Sequence, residues 1–140
     1  MGVWDYKRET TMFFQKKKDA SGFTKNEKKT LLDTINVMIT YANIARVEGL
    51  LTLNEFLDDV PDENFAKKYL KVVIEDCIFE TQVLREMMET EVKGIDGLTP
   101  FDVLEFQLII EAILLIMEGE NPKVVQDTLN EMVNVSNGYA

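Results

Sequence analysis

Apolar residues recur at three- and four-residue intervals along nearly the whole chain, and no stretch alternates in the two-residue rhythm of a half-buried strand. The pattern predicts an all-α protein, a compact helical bundle of about six to seven helices. Residues 4–18 suit a first helix with Met12, Phe13 and Phe14 as its apolar part, closed by Lys16-Lys17-Lys18 and the turn-like Ser21-Gly22. Thr24 and Glu27 stand at capping-box spacing, where hydroxyl and carboxylate satisfy each other's orphan backbone donors. A long helix follows, with Leu31, Ile35, Met38, Ile39, Ala42 and Ala45 inward, and Gly49 stops it. Residues 50–57 form a short helix that turns Leu50, Leu53 and Leu57 inward and Asn54, Glu55 and Asp58 to water. Pro61 closes it, and Asp62 caps a helix over 63–76 with Phe65, Tyr69, Val72 and Val73 inside and Lys67, Lys68 and Lys71 outside.

After a break at 76–79, residues 80–93 are amphipathic, with Val83, Leu84, Met87, Met88 and Val92 as the apolar set; Gly94 and Gly97 frame the next loop. Thr99-Pro100 is a start signal, an N-cap followed by a proline where its missing donor does no harm. That helix runs to about 118, Gly119 ends it, and Asn121-Pro122 repeats the signal for a last helix to about 133; a frayed tail at 134–140 is expected. Glu105, Gln107 and Glu111 interrupt the apolar run of 103–117, which falls short of a membrane span and reads as a buried helix. Residues 71–92 and 113–133 echo one another as apolar helix, acidic break and second helix, two hairpins that could share one core.

At 140 residues and 46% hydrophobic, the chain has the size of one domain able to bury a core unaided, spanning 1–140 with residues 1–23 as a basic arm or helix. The net charge of −10 argues against nucleic acid or an anionic membrane as partner of the body. The charge is uneven: residues 1–29 carry eight basic and four acidic side chains, net +4, which leaves −14 for the rest. A single cysteine, Cys77, rules out an internal disulfide framework and reads as a small apolar residue. With no apolar leader near Met1, a reducing cytoplasm is the expected location.

Histidine is absent, which removes the commonest general base and transition-metal ligand. No enzyme, catalytic residue, cofactor or metal site is expected. The adjacent acids Glu75-Asp76 and Asp58-Asp59 point apart on a helix. Asp58, Asp59, Asp62 and Glu63 could hold a hard cation around Pro61 but lack the spacing of a calcium loop, and a solvated acidic turn is the plainer reading. Met38, Met87, Met88, Met117 and Met132 are expected to fill gaps in the core.

The stretch Ala45-Arg46-Val47-Glu48-Gly49-Leu50-Leu51-Thr52-Leu53 carries most of the functional content. Two readings are open for Arg46: a cation stabilising the negative end of a helix macrodipole, or a surface grip for a charged partner. This stretch, together with Phe13-Phe14-Gln15-Lys16-Lys17-Lys18, residues 84–92 and Glu118-Gly119-Glu120-Asn121-Pro122-Lys123-Val124-Val125, resembles in order the cytoplasmic parts of the MotA family of flagellar motor stators, within the MotA/TolQ/ExbB proton-channel superfamily. The resemblance implies a protein–protein interaction domain that contacts the rotor protein FliG through Arg46, at the inner face of the membrane, with Glu48 or Glu55 as the candidates to substitute for the family's acidic contact. Two departures qualify what it implies. The family's membrane helices have no counterpart, so this chain alone would not conduct ions, and Asn54 stands where the family carries an acid. An alternative from the same residues is a free-standing scaffold or adaptor whose basic arm, Lys16, Lys17 and Lys18 beside Phe13 and Phe14, meets an acidic partner or a membrane surface peripherally.

Overall fold

The computed structural model describes residues 22–136, which form six helices in chain order: α1 (Lys25–Glu48), α2 (Leu50–Leu57), α3 (Phe65–Glu75), α4 (Thr81–Lys93), α5 (Pro100–Met117) and α6 (Pro122–Ser136). The bundle is all-α, as expected. The helix proposed for residues 4–18 lies outside the described residues, as do Trp4, Tyr6 and the end of the tail.

α5 organises the core because its sequence is apolar on every side. Val103, Leu104, Leu108, Ile110, Ile113 and Ile116 are all buried, and α1, α3, α4 and α6 each pack on it. α1 also packs on α2 and α6, and α2 on α3. One continuous core results, to which α1 contributes Leu31, Ile35 and Met38, α2 contributes Leu53 and Leu57, and α4 contributes Leu84 and Met88. Among the described residues no helix is long and apolar enough to cross a membrane.

The helix boundaries follow from local chemistry. Thr24 and Glu27 form the expected reciprocal box, with Glu27 N–H donating to Thr24 Oγ1 and Thr24 N–H to Glu27 Oε1, both at 3.0 Å. Thr99 does the same with Asp102 ahead of α5. Gly49, at φ 100 and ψ 162, separates α1 from α2 alone; only glycine adopts that backbone without strain, so the sharp elbow exists because residue 49 has no Cβ.

Several expectations need correction. The cap of α3 is Asn64, whose Oδ1 accepts from Lys67 N–H at 3.0 Å, and not Asp62. Lys67 is inside: its side chain is 9% exposed, and its ammonium donates to Val60 O at 2.7 Å and Asp62 Oδ1 at 2.8 Å. Asp62 is therefore drawn toward the lysine instead of the helix start. Val83 and Met87 lie on the exposed face of α4, whose buried set is Leu84, Met88, Glu89 and Val92. Cys77 is exposed and in the left-handed region at φ 55, so it serves as a stop after α3 and not as core filler. Phe23, placed in the arm, is 2% exposed and packs edge-on against Phe101 at 6.3 Å. Residues 134–136 continue α6 instead of fraying. The two hairpins are not equivalent: α5 and α6 lie against each other, whereas α3 and α4 each pack on α5 and are tied by Lys68 and Tyr69, both bonded to Glu91 at 2.6 Å.

Candidate protein-contact site at the α1–α2 elbow

Helical periodicity carries α1 inward through Tyr41 and Ala42 and leaves its last turn outside the core. Gly49 then redirects the chain so that α2 buries Leu53 and Leu57 and turns its other face outward. On either side of the glycine stand the two most exposed large apolar residues described, Val47 at 79% and Leu51 at 76%. Glu48 and Glu55 are exposed as well, Glu55 one turn beyond Leu51. The elbow thus presents a pair of aliphatic side chains beside two carboxylates on a fixed backbone.

Arg46 is exposed but engaged. Its Nη1 donates to Gly119 O at 3.1 Å, in the turn that follows α5. The turn closes on itself through Gly119 N–H to Ile116 O and Glu120 N–H to Leu115 O, both at 3.0 Å, and the guanidinium takes up a carbonyl left at the negative end of α5. Arg46 also borders a cleft of about 120 Å³ lined by Ala42, Leu50, Met117 and Glu120 among others. Arg46 thus has a definite partner within the chain, in the α5–α6 turn and not at the end of its own helix. Neither of the two sequence readings of Arg46 named Gly119 as its partner.

Asn54, expected to face water, is the node of a polar network on the side of α2 facing α3. Its Nδ2 donates to Glu75 Oε2 at 3.1 Å and its Oδ1 accepts from Lys71 Nζ at 3.0 Å. Lys71 also pairs with Asp58 at 2.8 Å and Glu75 at 3.3 Å. The hydrogen bond from Asn54, then that from Lys71, hold Glu75 below the usual carboxylate range, and Lys71 does the same for Asp58. An acid at position 54 could accept from Lys71 but would face Glu75 with like charge, which gives the asparagine a physical reason. The acids of this turn are exposed, as a solvated turn requires, and two of them are also paired, Asp58 with Lys71 and Asp62 with Lys67. Among the described residues no three acidic or cysteine side chains converge as a metal ion requires.

Sequence reasoning missed one further cluster. Arg85 of α4 reaches Glu111 of α5 at 2.7 Å and Glu89 at 3.6 Å, with the Nη1 and both facing Oε2 atoms buried. Glu111 was legible only as an interruption of an apolar run; an arginine one helix away is the partner that lets it stay there. The arm lysines Lys16, Lys17 and Lys18 lie outside the described residues.

Compared with protein-family models, curated proteins and solved structures, the chain matches none.

Proposed function

We propose that the chain is a non-enzymatic protein–protein interaction domain whose contact surface is the α1–α2 elbow, and that its partner is the flagellar rotor protein FliG, as the stator-like order of its motifs suggests. The observation that carries the reading is the exposure of Val47 and Leu51 beside Glu48 and Glu55. Large aliphatic residues left this open, with charges at their rim, are the composition of a small contact patch. Exposed single ion pairs contribute only about 0 to 1 kcal/mol each, so the aliphatic pair supplies most of the contact energy and the carboxylates set its orientation. Arg46 contributes in two ways, by holding the elbow against the α5–α6 turn and by lending positive charge to its edge.

A pull-down of the C-terminal domain of FliG tests this, using wild type, Leu51→Glu and Arg46→Glu, with circular dichroism melts as the folding control. Wild type is expected to bind, Leu51→Glu to lose binding without loss of fold, and Arg46→Glu to bind more weakly. No binding by wild type refutes the rotor reading; binding unchanged in both variants refutes the elbow as the contact surface.

A further inference from the structure

A groove of about 320 Å³ opens at the start of α5, lined by Leu98, Phe106 and Ile109 with Asp102 and Glu105. Its described lining contains no lysine or arginine. Glu105 accepts from Thr34 Oγ1 of α1 at 2.6 Å, and Phe106 stacks edge-on against Phe65 of α3 at 5.0 Å, so two of the side chains that line the groove on α5 also touch α1 and α3. α1 and α5 run the same way along this flank: Phe23 packs on Phe101, Thr34 on Glu105 and Arg46 on Gly119. The chain therefore enters the body, at Gly22 and Phe23, beside the mouth of the groove.

Charge selects what belongs there. Residues 22–136 carry ten basic and twenty-two acidic side chains, net −12, whereas residues 1–21 carry five and three, net +2. A second copy of the body would bring like charge to the groove; the chain's own leading segment brings the opposite charge together with adjacent aromatics. We propose that the groove is the seat of residues 12–18 of the same chain, Met12-Phe13-Phe14-Gln15-Lys16-Lys17-Lys18, with the phenylalanine rings against Leu98, Phe106 and Ile109 and the lysines against Asp102 and Glu105. Reach permits it. Lys18 is four residues from Gly22, about 14 Å of extended chain, and Phe13 nine, about 30 Å, while the groove residues span about 10 Å of helix. Tethering raises the segment's effective concentration to roughly the millimolar range. The seat lies apart from the α1–α2 elbow, so this inference stands independently of the proposed partner.

Carbodiimide coupling of the full chain, which joins paired lysine and carboxylate side chains at zero length, tests it by mass spectrometry on an equal mixture of 15N-labelled and unlabelled protein. The ion pair of Lys29 with Asp33 at 3.3 Å supplies an internal reference product. The expected result is coupling of Lys16, Lys17 or Lys18 to Asp102 or Glu105 within single chains. Replacing Phe13→Asp and Phe14→Asp together is expected to lower that yield at least about tenfold against the reference, and Glu105→Gln to redirect it to Asp102. Coupling of these lysines chiefly to α4 carboxylates such as Glu86, coupling only between differently labelled chains, no coupling while the reference forms, or a yield indifferent to the phenylalanine changes would each overturn the proposal.

Discussion

Replacing Arg85 with methionine separates charge from packing at the heart of the fold. The side chains of Arg85, Glu89 and Glu111 keep only 23%, 8% and 18% of their exposure. Methionine retains much of the aliphatic volume of the arginine stem but leaves two carboxylates without their cation between α4 and α5. Removing one partner of a buried pair costs about 3 to 5 kcal/mol; because Arg85 and Glu111 retain about a fifth of their surface, the lower figure, about 3 kcal/mol, applies here. For a chain of this length that corresponds to a fall of roughly 9 °C in Tm, or about 2 M in the urea midpoint at a slope near 1.5 kcal/mol/M. The decisive comparison is the triple variant Arg85→Met, Glu89→Leu and Glu111→Leu. With no charge left to strand, it is expected within about 1 kcal/mol of wild type or above it. Urea unfolding followed by far-ultraviolet circular dichroism reads both. An Arg85→Met variant as stable as wild type would refute the desolvated-cluster account. A triple variant as unstable as the single one would assign the loss to packing.

Four further outcomes follow from local structure. Burial favours the neutral form of Glu91, but the hydrogen bonds from Lys68 and Tyr69 and the Lys68 charge outweigh it and hold its pKa below 4.5. Its stabilisation is therefore present above pH 4.5 and lost as pH falls through the lower folded value, so the stability gap between wild type and Glu91→Gln should be wide near about pH 7 and close near about pH 3 in paired urea titrations. Burial first, and then the bond to Glu91, push the Tyr69 hydroxyl well above its ordinary pKa of 10, so stability should fall above pH 10 in wild type and less steeply in Tyr69→Phe, as alkaline melts would show. Gly49→Ala meets no neighbouring atom, so its cost is backbone strain alone, about 1 to 3 kcal/mol in a thermal melt, whereas Cys77→Gly relieves a left-handed non-glycine residue and should raise stability by about 0.5 kcal/mol.

What could be read from the chain, and what could not, divides along the range of the physics involved. The box at Thr24, the N-cap at Thr99, the stop at Gly49 and the inward Leu31, Ile35, Met38 and Ala42 of α1 depend on neighbours within four residues, and each is where spacing puts it. Lys67 and Asn54 defeated the same reasoning, and Arg85 escaped it, because periodicity sends charged and polar residues outward unless a partner beyond their own helix receives them. Their partners are Val60 and Asp62, Glu111, and Lys71 with Glu75, and three of these contacts cross between helices. Cys77 was legible only as a small apolar residue, and its exposed, left-handed place is set by the backbone turn after Asp76. At the elbow, the exposed character of Glu48 and Glu55 was legible, and the bond from Arg46 to Gly119, seventy-three positions away, was not.

The α1–α2 elbow as a contact surface is tested most directly by titrating the 15N-labelled full chain with the C-terminal domain of FliG and following amide shifts residue by residue. The account predicts shifts concentrated between residues 44 and 55, strongest around Val47 and Leu51, with α4 unmoved. Shifts centred instead on Val83 and Met87, or no shifts at saturating FliG, would contradict it.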